Sequence, residues 1–197
     1  MKKSVIVLIV VGVMLLLAAS RLAGAYNGLV NKQTQVRTAW AEVDNLLQRR
    51  SDLIPNLVET VKGFAAQEQT VLGRIADARA QLAGARTPQE RIAAGQAMDS
   101  ALGRLLVVIE NYPELRSSEN FMRLQDELAG TENRLSVGRT RYNEVAGEYN
   151  AMVRRFPANF FAGMLGFGAE PFYPVATEAK QVPRVDFQGT RPDTTRG

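Results

Sequence analysis

Neither cysteine nor histidine occurs in this sequence of 197 residues. Without cysteine the chain has no disulfide bonds, no thiolate chemistry and no cysteine-ligated metal site. Without histidine it has no Glu-x-x-His di-metal site, no histidine phosphotransfer and no ordinary zinc site. We therefore expect a protein that is not an enzyme, and we assign no catalytic residue, no cofactor and no metal ligand.

Clustered basic residues are also lacking, although the formal net charge is +4. The positive charges are spread along the chain, whereas nucleic-acid-binding proteins usually concentrate them in a patch or stripe. We therefore expect no nucleic acid partner.

The amino terminus carries the longest apolar run, Val5 to Ala19, behind Lys2 and Lys3. Extended to residue 25, the segment is about 22 residues or about 33 Å of helix, which is enough to span a membrane. A cleaved signal peptide is one interpretation, with Ala23-Gly24-Ala25 as the cleavage site. A retained anchor is the other, and it is favoured because the helical pattern restarts without a linker. We predict a transmembrane anchor over residues 1–25.

The charges that flank this segment predict its orientation. Lys2, Lys3 and the free amine outweigh Arg21 and Lys32. By the positive-inside rule the amino terminus lies in the cytoplasm and the rest of the chain on the opposite, periplasmic side.

Residues 26–157 show sustained helical periodicity, which predicts an all-α bundle. Thr87-Pro-Gln-Glu90 is a capping box with proline at the first helical position, so a helix begins there. A last helix is predicted from about Ser118 to Phe156. Its apolar residues recur every seven positions, as in helical bundles and coiled coils: Phe121, Leu128, Leu135, Tyr142, Tyr149 and Phe156.

Pro55 interrupts the first apolar stripe and leaves two arrangements open. In the first, the chain reverses near Ser51 and Asp52, Asp52 caps the next helix, and an up-and-down four-helix bundle results. In the second, three helices form and the first is very long and kinked at Pro55, which would leave part of its stripe to an oligomer interface. We favour the four-helix bundle, because each exposed large apolar side chain would forfeit about 1.5–3 kcal/mol.

Several sequence blocks resemble the LemA family of bacterial membrane-anchored helical-bundle proteins. The blocks are Ala39-Trp40, Leu47 to Phe64, Tyr112 to Leu115, Ser118 to Phe121, Leu124 to Leu128, Thr131 to Arg134, Arg141 to Asn143, Tyr149-Asn150 and Phe156-Pro157. The resemblance implies a retained anchor in the bacterial inner (cytoplasmic) membrane and a helical bundle. It carries no catalytic residues.

A polar cluster within the second block is the first candidate site. Arg49, Arg50, Asp52 and Lys62 could bind an anion or a partner at a helix start, or form a capped turn with ion pairs, which we favour. Arg50 falls on the inward side of the stripe, so we expect a pairing partner for it. The asparagines of the last helix, such as Asn143 and Asn150, are expected to make interhelical hydrogen bonds.

The second candidate site is the aromatic, glycine-rich segment 158–174. It could be a lid over the bundle end or a contact with the membrane interface. The residues concerned are Phe160, Phe161, Phe167, Phe172 and Tyr173. Residues 175–197 are predicted as an extended or disordered tail, in which Val182 to Phe187 could dock as a short strand or bind a partner.

These features together predict a non-enzymatic, membrane-anchored helical scaffold or adaptor. It would act through contacts with other membrane or envelope proteins, or with itself as a homo-oligomer. The alternative is a lipid-binding or membrane-shaping bundle that uses the aromatic residues of segment 160–173.

Overall fold

The computed structural model describes residues 2–174, with side chains from residue 3 onward. This part of the chain is all-α, as predicted, and contains six helices. They are α1 (Lys2–Lys62), α2 (Gln69–Gly84), α3 (Pro88–Ile109), α4 (Pro113–Arg116), α5 (Glu119–Arg154) and α6 (Ala158–Ala162). The predicted tail, residues 175–197, lies outside the described residues.

The favoured reversal at Ser51 and Asp52 is wrong, because α1 continues unbroken through Pro55 to Lys62. Asp52 accepts a hydrogen bond from the Gln48 amide at 2.9 Å and does not cap a new helix. A proline in a helix interior costs about 3 kcal/mol. Burial of Ile54 and the stripe residues after it offsets this cost, since each contributes about 1.5–3 kcal/mol.

The chain turns back at residues 63–68 instead, between α1 and α2. The stripe of α1 does not need an oligomer to cover it, because α5 packs along it. With 36 residues, α5 is about 54 Å long and matches the part of α1 beyond residue 26. The predicted last helix is therefore present, and it ends at Arg154, two residues before the predicted end.

Ion pairs between the helices show their directions. Lys32 pairs with Glu148 and Arg50 with Glu132, so α5 runs antiparallel to α1. Asp44 pairs with Arg91, and Asp99 also contacts Arg50, so α3 runs parallel to α1. Helix α2 packs mainly against α3.

The predicted capping box at the start of α3 is confirmed. The Thr87 hydroxyl accepts from the Glu90 amide at 3.2 Å, and the Glu90 carboxylate accepts from the amides of Arg86 and Thr87 at 2.7 and 3.1 Å. These backbone hydrogen bonds lower the pKa of Glu90. The box orients α3 for the short connection from α2.

Two apolar cores follow one another along the bundle. The proximal core lies nearer the apolar start of α1, and the distal core lies toward the 63–68 turn. Residues of the proximal core include Leu29, Val36, Val43, Leu47, Leu135, Tyr142, Tyr149, Phe167 and Tyr173. Those of the distal core include Ile54, Leu57, Val61, Ile75, Met98, Leu105, Ile109, Leu115 and Phe121.

Candidate functional site

Within residues 2–174, no other part of the protein covers the apolar start of α1. Large apolar side chains from Val5 to Leu17 are about half to three-quarters exposed. Two helices of the described part, α1 and α3, are long and apolar enough to cross a membrane. Since α3 contributes Met98, Leu105 and Ile109 to the distal core, its apolar character serves the bundle, whereas the apolar start of α1 joins neither core of the described part.

An apolar collar lies beside α1 where it enters the bundle. Helix α6 and the turn after it lie against Leu22 and Tyr26, and together they line a recess of about 310 Å³. Apolar side chains of this region point away from the bundle. We define the collar by four of them, each at least half exposed: Phe156, Phe160, Met164 and Leu165.

The predicted membrane-contact residues separate into two groups. Phe160 is exposed in the collar, and Phe161 lines the recess beside Leu22. Phe167 and Tyr173 are instead buried in the proximal core. Phe172 is exposed on one side and lies against Gly147 of α5. Of the five predicted residues, the structure therefore places only Phe160 in the collar, and it places Phe161 in the recess beside it.

Sequence reasoning missed Phe156, Met164 and Leu165 as collar residues. Phe156 had been assigned to the heptad seam of the last helix. Because α5 ends at Arg154, Phe156 leaves the seam and is 81% exposed. Its place immediately before Pro157 was the available signal, since helices usually end at or before the residue that precedes a proline.

Asparagine side chains of α5 hold the backbone of the segment that contains Phe167 and Tyr173. Asn150 exchanges two hydrogen bonds with the backbone of Glu170, at 2.8 and 2.9 Å. Asn143 does the same with the backbone of Tyr173, at 2.8 Å each. These asparagines therefore bond an extended segment and not another helix, which corrects the prediction of interhelical bonds.

Burial changes the ionisation of the tyrosines that pack here. It raises the pKa of Tyr142 from 10.0 to about 12, and the negative charge of Glu170 adds to the effect. Burial also raises the pKa of Tyr149 and Tyr173. The Tyr142 hydroxyl donates to the Pro171 carbonyl at 2.6 Å, a bond that requires the protonated phenol.

A ring of four charged side chains lies between the two cores. Arg50 contacts Asp99 and Glu132, and Arg139 contacts the other oxygen of each carboxylate at 3.0 and 3.2 Å. The Arg50 side chain is only 9% exposed. Two positive and two negative charges balance, and they join α1, α3 and α5. Arg139 also stacks on Tyr173, 4.5 Å from the ring centroid.

The predicted polar cluster does not assemble as one site. Arg50 points inward into the charged ring and has the pairing partners that its position required. Arg49 pairs with Glu127 on the surface, and Lys62 pairs with Glu59 one turn away. Sequence spacing alone could not reveal Asp99 and Arg139, because both reach Arg50 only through the packing of α3 and α5.

A pocket of about 230 Å³ opens beside the charged ring, over the distal core. Its walls come from α1, α3 and α5 and are almost entirely apolar, with Arg50 and Glu132 at one end. The remaining lining residues are Leu57, Leu102, Leu105, Leu106, Phe121, Gln125, Leu128 and Ala129. Within residues 2–174 no group of three acidic side chains is placed to hold a metal ion.

Residues 39–187 match the family model described as the LemA family. The chain belongs to the LemA family. The match begins at Ala39, includes the charged ring and the pocket, and continues beyond the described residues to Phe187. The predicted family resemblance is therefore confirmed.

Among curated proteins, the LemA-family chain is similar to two magnetosome proteins. It is 25% identical over 174 residues to magnetosome protein MamQ 2 of Paramagnetospirillum magneticum, covering 75% of this chain and 64% of that protein. It is 24% identical over 168 residues to magnetosome protein MamQ of Magnetospirillum gryphiswaldense, covering 72% and 62%. The chain thus spans less than two thirds of the length of these relatives.

A third relative carries the family name itself. Protein LemA of Metamycoplasma hominis is 24% identical over 165 residues, which is 83% of this chain and 73% of that protein.

Proposed function

We propose that this LemA-family protein is a single-span membrane protein whose helical bundle is a non-enzymatic scaffold for protein–protein contacts. One observation carries the proposal: α1 runs without a break from an exposed apolar segment into the two cores. An apolar helix of this length fits a bilayer. Because the same helix continues into the bundle, the anchor would hold the bundle close to the membrane surface in a defined orientation.

The proposed topology places the amino terminus in the cytoplasm and residues 26–174 outside it, at the inner membrane. Lys2 and Lys3 support this orientation through the positive-inside rule. Since the chain has no cysteine, single cysteines report accessibility without background. In intact cells a membrane-impermeant maleimide should label Val137→Cys, which is on the exposed face of α5, and should not label Lys3→Cys. The reverse pattern would contradict the topology.

The scaffold proposal requires contacts with other proteins on the exposed faces of the bundle. Val107 on α3 and Val137 on α5 are exposed apolar residues, 66% and 70% accessible. A photo-crosslinking amino acid at each position, in native membranes, should give discrete adducts with one or a few envelope proteins or with a second copy. Absence of adducts at both positions, with normal membrane insertion, would contradict a scaffold that uses these faces.

A second candidate function is direct contact of the bundle with lipid. It is favoured by the collar: Phe160 and Met164 are exposed, and their chain neighbours Phe161 and Leu165 line the recess beside Leu22 of α1. Aromatic and apolar side chains at such a position fit the membrane interface. The collar would then rest on the bilayer and limit how far the bundle tilts.

Fluorescence quenching in vesicles can test the lipid contact with the full chain. A fluorophore on Phe160→Cys should be quenched by lipids that carry a nitroxide near the headgroup, and the same fluorophore on Val137→Cys should not. Both positions are exposed, so they form a matched pair. Equal quenching at the two positions, or none at Phe160, would contradict the collar as a lipid contact.

A further inference from the structure

The end of the bundle beside the collar carries positive charge without nearby negative charge. The chain has no acidic residue before Glu42, and residues 149–169 have none either. Three arginines lie in these two stretches near the collar: Arg21 on α1, Arg154 at the end of α5 and Arg155 directly after it. All three are exposed, and within residues 2–174 none of them makes an ion pair. Their charge is therefore available to an anion from outside the bundle.

The packing of α5 on α1 brings the three arginines to similar heights along the bundle. Met152 of α5 lies against Gly28 of α1, where an added Cβ would be 2.7 Å from the Met152 methyl group. Since the two helices are antiparallel, Arg154 and Arg155 lie level with about residue 25 of α1. Arg21 is four residues from that level, which is about 6 Å along the helix. Arginine side chains are long and flexible, so the three guanidinium groups can reach one layer.

The length of the apolar segment places this layer at a bilayer surface. The helix from Lys3 to Arg21 is about 27 Å long. The hydrocarbon core of a bilayer is about 30 Å thick, and the headgroups add about 5–7 Å on each side. With Lys3 at one boundary, the other boundary falls at about residue 23, and the headgroups extend to about residue 27. The three arginines therefore lie at the level of the lipid phosphates.

The apolar recess of about 310 Å³ lies beside the same layer. Leu22 lines it at the hydrocarbon boundary, and Phe161 and Leu165 line it from the side of α6. A methylene group is close in size to a water molecule, which occupies about 30 Å³ of the liquid. The recess can therefore accept several methylene groups of a lipid chain whose headgroup is at the arginines.

We propose that this end of the bundle binds an anionic phospholipid. Its phosphate lies among Arg21, Arg154 and Arg155, and the first methylene groups of one acyl chain lie in the recess. Guanidinium groups suit this role because each can bind two phosphate oxygens at once. The arginines select an anionic lipid over a zwitterionic one, whose positive headgroup offsets its phosphate. This inference rests on the second candidate function, contact of the bundle with lipid, and adds the class of lipid and the residues that select it.

Lipid-selective quenching with the full chain in vesicles tests the proposal. The fluorophore is again on Phe160→Cys, and the vesicles contain phosphatidylcholine and phosphatidylglycerol. The nitroxide is carried near the headgroup end of the acyl chain, by the first lipid in one series and by the second in the other. Phosphatidylglycerol should associate about fivefold more strongly, since an arginine near an anionic surface contributes a factor of this size. Arg154→Gln combined with Arg155→Gln, or 1 M salt, should remove most of this preference.

Arg104→Gln combined with Arg116→Gln is the matched control. These arginines are also exposed, but they lie beside the distal core, so the preference should be unchanged. Equal quenching by the two lipids in the unsubstituted chain would overturn this inference and leave the lipid contact standing, whereas no quenching by either would overturn both. A preference that persists in Arg154→Gln with Arg155→Gln would overturn the arginine site.

Photo-crosslinking tests the recess separately. Benzoylphenylalanine in place of Phe161, which lines the recess, should form adducts with phosphatidylglycerol in excess over phosphatidylcholine from an equimolar mixture, as measured by mass spectrometry. The same group in place of Val137, which is exposed farther along α5, should form no lipid adducts. Absence of lipid adducts at Phe161 would overturn the recess as the site of the acyl chain.

Discussion

A groove runs between α3 and α5, and within residues 2–174 Tyr173 fills its proximal half while its distal half forms an open pocket. In the proximal half, Tyr173 is buried and its backbone is held by Asn143. In the distal half the same helices leave a pocket of about 230 Å³ with apolar walls. The difference shows that helix packing alone does not close this bundle. In the proximal half an extended segment completes the core, and the side-chain amides of Asn143 and Asn150 hold its backbone.

Among the substitutions that test this difference, one in the charged ring should have the largest effect on the free energy of unfolding. Arg50→Met would leave the carboxylates of Asp99 and Glu132 close together with only Arg139 between them. Removal of one partner from such a site costs about 3 kcal/mol. We expect the free energy of unfolding to fall by this amount in urea denaturation of the full chain in detergent, followed by fluorescence of the single tryptophan, Trp40.

Arg49→Met is the control for the ring, since Arg49 makes an exposed ion pair with Glu127. Its loss should change the stability by only about 0–1 kcal/mol. If both variants cost the same, the ring does not join the two cores, and Arg50 is an ordinary surface residue.

Two glycines of α3 compare the filled groove with the exposed surface of the same helix by a single methyl group. A Cβ at Gly95 would lie 2.7 Å from the Tyr173 hydroxyl and 3.1 Å from a Leu47 methyl group, whereas a Cβ at Gly103 meets nothing within 4 Å. Gly103→Ala should stabilise the protein by about 0.5–1 kcal/mol through helix propensity. Gly95→Ala should instead destabilise it by about 1–3 kcal/mol through overpacking. A gain of stability at both positions would show that Tyr173 does not fill the groove in solution.

Asn143→Ala tests the segment itself with a somewhat smaller effect. The substitution leaves the amide and the carbonyl of Tyr173 without their partner, which should cost about 1–2 kcal/mol. Hydrogen exchange of the amides of Glu170 and Tyr173 should become faster. Asn133→Ala, on an exposed position of the same helix, should leave that exchange unchanged. Continued protection of both amides in Asn143→Ala would mean that burial alone retains the segment.

The last prediction concerns the loss of stability at high pH, which should begin in the proximal half. Burial raises the pKa of Tyr142 to about 12, and it also raises the pKa of Tyr149 and Tyr173. Because the folded pKa lies above the unfolded value of 10, this contribution to stability is complete below pH 10 and is lost as the pH rises toward 12. Absorbance of tyrosinate should therefore lag behind that of free tyrosine, and the stability should decline over the same interval. If Tyr142 titrated at the same midpoint as free tyrosine, its burial would be contradicted.

The local pattern of the sequence was sufficient for the class of fold and for several boundaries. The capping box at Thr87 and the helical periodicity predicted α3 and most of α5, because these signals involve residues three to seven positions apart. The inward position of Arg50 also followed from its phase on the stripe. The identity of its partners did not, since Asp99 and Glu132 lie far from it along the chain.

The sequence by itself determined an all-α chain with an apolar start, a defined helix cap and an inward arginine that needed partners. Only the tertiary structure decided that α1 passes through Pro55, because α5 is long enough to cover both sides of that residue, and the buried stripe offsets the local cost of about 3 kcal/mol. It also decided that Phe167 and Tyr173 enter the core while Phe160 remains outside. Their aromatic character is the same. The difference arises from the asparagines of α5, which hold one stretch of backbone in the groove.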